Sequence, residues 1–144
     1  MAKSPPDRQR WLRYALIGNA SFSTITGVFI VIARDWTAHL LGPSGSANLL
    51  GLGIGLLIFA AALLINARRP ELRIAEAWAV VLMDLAWVAA SYVTLLIAPF
   101  SAEGKWMIAM VADLVLVFAV LQWIGIHRIQ SHERAARFSH GPSA

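Results

Sequence analysis

The chain has 144 residues, of which 58% are hydrophobic and 14% charged, with a net charge of +4, a mean hydropathy of +0.65 and no cysteine. Soluble domains run roughly 45–50% apolar and about 25% charged, and a chain this small has too much surface to hide the excess, so the composition excludes an ordinary soluble globule and points to a membrane protein. The missing cysteines exclude a disulfide framework and a thiolate metal site. The basic residues sit in connecting segments and form no stripe or motif, so nucleic acid is not expected as a partner.

In chain order, residues 1–11 read as a basic cytoplasmic N-terminal tail. The apolar run behind it is about twenty residues long, too long for a signal-peptide core, and no small-residue cleavage site ends it, so it reads as a retained span. Four stretches, 12–33, 48–67, 74–98 and 105–126, are long enough to cross a bilayer, which takes roughly 17–25 helical residues. Turn chemistry separates them: LGPSGSA at 41–47, NARRPELR around Pro70 and PFSAEGK before the fourth. Period-two alternation is absent, which argues against a β-barrel. The expected fold is all-α, a polytopic four-transmembrane-helix antiparallel bundle over 12–126. Residues 127–144 form a second basic cytoplasmic tail, helical through about residue 138.

Orientation follows from the cations. Lys3, Arg8, Arg10, Arg13, Arg68, Arg69, Arg73, Arg128, Arg134 and Arg137 fall on one side, and only Arg34 and Lys105 on the other. The excess of Lys and Arg marks the cytoplasmic side and puts both termini there. Trp11, Trp36, Trp78, Trp106 and Trp123 fall near span ends, as an interfacial aromatic belt requires. Trp87 falls deep within the third span.

Polar residues inside the spans are the candidate site. Asn19, Ser23, Thr26 and Gly27 share one face of the first span. Asp84 in VLMDLAWVAAS and Asp113 in AMVADLVLVFAV interrupt otherwise apolar runs. An acidic side chain near the bilayer centre costs about 2.5–3.5 kcal/mol, which makes it a functional candidate by default. Asp84 lies ~15 Å up the third span and Asp113 ~20 Å from the inner end of the fourth, so the two are expected within about one helical turn in depth. Desolvation and like charge both penalise ionisation, so at least one is expected to be neutral, a donor as well as an acceptor and so suited to bonding Asn19, Ser91 or the Trp87 indole. Ser91 extends the Asp84 face. Gln122, half a turn round from Asp113, is read as an interfacial or subunit-contact residue. In the second span, Gly51 and Gly55 form a GxxxG pair continued by Ala62 and Asn66, the expected face of close contact with a neighbouring helix, of this chain or of a second copy.

Catalytic chemistry is not evident. His39 is in the outer connection, while His127, His132 and His140 lie at or beyond the inner end of the fourth span, an arrangement unsuited to bis-histidine haem. No Ser-His-Asp set, phosphate-binding loop or metalloprotease signature is present. The sequences around the two aspartates lack the motifs of intramembrane aspartyl proteases.

Asn19-Ala-x-Phe22-Ser23 with Gly27, the glycine-rich start of the second span, Arg68-Arg69-Pro70 and Asp84-x-x-Trp87-Val88 together resemble small bacterial four-span membrane proteins of uncharacterised function, over about residues 12–126. The resemblance implies a compact bundle in a bacterial inner membrane and no activity. Size and span count are also similar to small multidrug resistance transporters, whose first-span glutamate has only Asn19 in its place here.

Two functions are therefore expected to compete. One is a non-enzymatic accessory, assembly or anchoring component, without cofactor, whose partners are the lipid bilayer and a homo-oligomer or larger membrane complex. The alternative is a small proton-linked transporter or solute-binding bundle in which Asp84 and Asp113 titrate as a coupled pair.

Overall fold

A computed structural model describes residues 6–42 and 48–139, with side chains described over 9–42 and 48–131. The turn expected at 43–47, the tail residues 1–5 and 140–144, and the side chains of His132, Arg134 and Arg137 lie outside that set. The described residues are all-helical: α1 Pro6–Ile32, α2 Arg34–Leu41, α3 Leu49–Arg68, α4 Ile74–Ile97 and α5 Ala102–Ser139. Four of the five, α2 being the exception, are long and apolar enough to cross a bilayer.

Boundaries follow local chemistry. Gly42 ends α2 at φ +79°, a left-handed geometry that favours glycine. The chain leaves α3 just before Pro70 and α4 just before Pro99, since the residue ahead of a proline is pushed out of the helical region. Ser101 caps α5 by accepting the Gly104 N–H at 2.9 Å on its Oγ.

The helix α2 is the element the sequence reading did not anticipate; that stretch was expected to be outer connection. Its Thr37 and Leu41, one turn apart, are buried. The Ser101 hydroxyl donates to the Leu40 carbonyl and the Ser101 N–H to the Leu41 carbonyl at 3.1 Å, tying the end of α2 to the start of α5. The expected tail helix is continuous with the fourth long helix and runs to Ser139.

Packing is organised around α1, which lies against α3 and α5, while α4 lies against α5. Contacts between α4 and α5 pair Trp78 with His127, Asp84 with Gln122 and Tyr92 with Asp113, rising on one helix as they fall on the other. Those between α1 and α3 likewise pair Arg13 with Ala67 and Gly27 with Gly53. One apolar cluster, including Leu12, Leu16, Leu63, Val81 and Ile126, fills the end near Arg13; a second, around Ile30, Leu41 and Leu49, fills the α2 end.

Within the chain, the α1–α3 contact is not made by the Gly51, Gly55 and Ala62 face, whereas Asn66 is buried. A Cβ on Gly27 would lie 2.9 Å from the Gly53 carbonyl oxygen, and one on Gly53 would lie 2.7 Å from Val31 and 3.0 Å from the Gly27 carbonyl oxygen. By contrast, a Cβ on Gly55 meets nothing within 4 Å, the nearest atoms to one on Gly51 are those of the Asn48 side chain on the same stretch, and Ala62 is exposed. The close approach is made by Gly27 and Gly53, and Gly51, Gly55 and Ala62 face outward. The reason is helical phase: Gly53 shares its buried stripe with Leu49, Ala60, Leu63 and Ala67, and residues two positions away turn to the other side.

Candidate functional site

The polar residues separate into a buried group and an exposed group. In the buried group, the Asn19 side-chain amide donates to Asp84 Oδ2 at 2.7 Å, and the Ser23 hydroxyl donates to Asn19 Oδ1 at 3.4 Å. The Gln122 amide donates to the same Asp84 oxygen at 3.4 Å. Asp84 is 3% exposed, and Asn19 and Gln122 are fully buried. Each comes from a different helix, α1, α4 and α5. Among the described residues no Cα of α1 comes within 8 Å of one in α4. The Asn19–Asp84 bond therefore links two helices whose backbones do not meet. Burying a carboxyl in an apolar interior is costly unless it is hydrogen-bonded, and these donors supply that compensation. Gln122 Oε1, also buried, has no donor among the described residues.

Gln122 was expected at an interface or subunit contact; it lies instead in the core. Nine residues separate it from Asp113, two and a half helical turns, so the two project from opposite sides of α5. The side that faces Asp84 and α1 carries Gln122, and Asp113 lies exposed at the open edge of the α4–α5 contact. There Asp113 Oδ1 accepts the Tyr92 hydroxyl at 2.5 Å, a pair on the open surface of α4 and α5.

Asp84 and Asp113 are therefore not brought together. The α5 residue facing Asp84 is Gln122, ~14 Å along the helix from Asp113. The depth expectation failed on register: it counted from residue 126, whereas α5 continues and Trp78 near the start of α4 faces His127. The Ser91 hydroxyl donates to the Trp87 carbonyl at 2.9 Å within its own helix and does not extend the Asp84 group. Trp87 is half-buried, and the hydrogen bonds to Asp84 among the described residues come from Asn19 and Gln122, not from its indole.

Tyr92, Gln122 and Gly53 are the residues sequence reading missed. For Gln122 a signal existed, since its half-turn offset from Asp113 means only one of the two can face the core. Tyr92 sits eight residues beyond Asp84 and carries no mark in sequence.

Both ends of the helices are tied by polar contacts. Near Arg13, its guanidinium donates to the carbonyls of Ala67 and Pro70, while Asn66 Oδ1 accepts the Arg73 N–H at 3.1 Å and closes the α3–α4 turn. Glu76 pairs with Arg69 at 3.3 Å and Arg73 at 3.0 Å. Trp78 and Trp123 both meet the His127 ring edge to face, and the Arg128 guanidinium lies over Trp11. Two shallow depressions occur at the α2 end, beside Arg34 and Asp35; neither includes Asp84, Asn19 or Gln122. Among the described residues no three His, Asp or Glu side chains gather as a metal site would need.

Comparison with protein-family models, curated proteins and solved structures finds no match to this chain.

Proposed function

We propose that the chain is a non-enzymatic integral membrane protein of a bacterial inner membrane, a four-span antiparallel bundle with cytoplasmic termini that serves a larger membrane assembly as an accessory, assembly or anchoring component. The four long apolar helices and the ten-to-two distribution of Lys and Arg support the placement.

The observation that carries the role is the sealed state of Asp84. A carboxyl that relays protons must reach water on at least one side at some stage, and Asp84 is 3% exposed and held by two amides. Its chemistry here is that of a hydrogen-bond hub between helices. The separation of Asp84 from Asp113 weighs against a coupled proton-carrying pair.

Because the chain has no cysteine, single cysteines test the placement cleanly. A membrane-impermeant maleimide applied to intact cells should label His39→Cys and leave Ser131→Cys unlabelled until the membrane is opened. The reverse pattern would overturn the orientation, and equal labelling the insertion. For the role, purification from mild detergent should yield a stoichiometric partner. A chain that always runs alone, together with proton-linked flux in liposomes lost in Asp84→Asn, would replace this reading with the transporter.

A further inference from the structure

Among the described residues, the Asp113–Tyr92 pair is the one place where an acidic group lies on the outward surface of the long helices well away from their ends. Eight residues, ~12 Å, separate Asp113 from Lys105. Around the pair the surface is apolar: Leu85, Ala89 and Leu96 lie on the Tyr92 side of α4, and Met110, Val117 and Val120 on the Asp113 side of α5, all exposed. These follow i, i+3, i+4 and i+7 spacings and form two neighbouring seams of the kind a further helix packs into.

The geometry points to a docking surface on α4 and α5 for a transmembrane helix of another protein that carries a lysine or arginine at the depth of Asp113. The inference rests on the membrane reading above. Tyr92 supplies one donor to one carboxylate oxygen, and Asp113 Oδ2 has no hydrogen-bond partner among the described residues. Facing hydrocarbon, that oxygen has no water to satisfy it, and a donor from a neighbouring protein helix answers the need without neutralising the carboxyl. A cation matches it in charge as well as in hydrogen bonding.

This chain does not supply the cation. Its lysines and arginines lie towards the two ends of the apolar stretches. Lys105 is the nearest on α5, and its side chain leans towards the helix N-terminus, away from Asp113. A second copy inserted the same way carries Lys105 at the same depth and leaves the same ~12 Å gap. The occupant is therefore a different chain.

The test uses the full chain, donor-labelled and reconstituted in phosphatidylcholine–phosphatidylglycerol vesicles, with an acceptor-labelled synthetic Leu/Ala transmembrane helix. One version of the helix carries a single lysine at the Asp113 depth, one carries leucine there, and one carries the lysine two turns away. Energy transfer should show the first binding roughly five- to thirtyfold more tightly than the other two. Asp113→Asn should remove the preference. Asp113→Lys should transfer it to a helix bearing aspartate at that position, which excludes simple misfolding as the cause. Equal binding of the lysine and leucine helices, or a preference that survives Asp113→Asn, overturns the inference. So does self-association of the chain that is lost in Asp113→Asn, because the face would then belong to a second copy. Cysteine labelling of the same vesicles separates the two levels: a chain that does not insert with four spans defeats the membrane reading and this inference together, whereas an inserted chain without lysine preference defeats only the inference.

Discussion

Asn19 on α1 and Asp84 on α4 are joined by a 2.7 Å hydrogen bond, although the two helices that carry them make no close backbone contact. The bond is thus a strut across the interior, and its loss leaves a buried carboxyl with only the longer Gln122 contact. Asn19→Ala should lower stability by about 1–3 kcal/mol, the cost of stranding a buried polar partner. Asp84→Asn should cost less than Asp84→Ala, since an amide oxygen still accepts from Asn19. In a double-mutant cycle, Asn19→Ala and Asp84→Ala should couple by about 0.5–3 kcal/mol. Denaturation in detergent, followed by helicity, measures each term; additive effects would show that the strut does not act as a unit.

Gln122 should behave differently despite being equally buried. Its contact with Asp84 is long, at 3.4 Å, and its Oε1 has no donor among the described residues. Methionine has similar shape and no unmet acceptor, so Gln122→Met should be less destabilising than Asn19→Ala in the same unfolding assay. A larger loss would mean that the Gln122 amide is a principal support of Asp84.

The glycines divide by contact. Gly27→Ala and Gly53→Ala each push a methyl group into the facing backbone carbonyl and should cost about 1–3 kcal/mol. Gly55→Ala enters open space and should be neutral or gain up to about 1 kcal/mol from helix propensity. Thermal unfolding in detergent ranks the three, and a Gly55 variant as damaged as the Gly53 variant would contradict the packing.

Asn66 closes the α3–α4 turn through the Arg73 N–H. Removing its side chain in Asn66→Ala strands that donor next to a buried position, with an expected loss of about 1–3 kcal/mol. Hydrogen exchange at the Arg73 amide should accelerate while exchange in mid-α1 is unchanged; uniform acceleration would indicate global loosening instead.

Ser101 has two tasks, capping α5 and tying α2 to it. Ser101→Ala should cost about 1 kcal/mol as a lost cap and speed exchange at Gly104. Exchange at Gly104 that matches the parent chain would show that the cap is dispensable.

The helical class and the four long apolar segments were legible from sequence because they depend on hydropathy and on turn residues such as Pro70 and Pro99, which act locally. The short α2 was not, since its buried face exists only where α1, α3 and α5 come together around it.

For the polar site, sequence alone determined that Asp113 and Gln122 must look in opposite directions, because nine residues make two and a half turns. It also determined that Gly51 and Gly55 share a face, and that Gly53 does not. Which of those faces turns inward was decided only by tertiary structure. Helix phase is a relative angle, and it becomes an absolute direction when neighbouring helices lock it. Here Gly53 against Gly27 sets α3, and the Asp84–Gln122 and Tyr92–Asp113 pairings set α5 against α4. The same lock sealed one aspartate among amides and left the other on the surface.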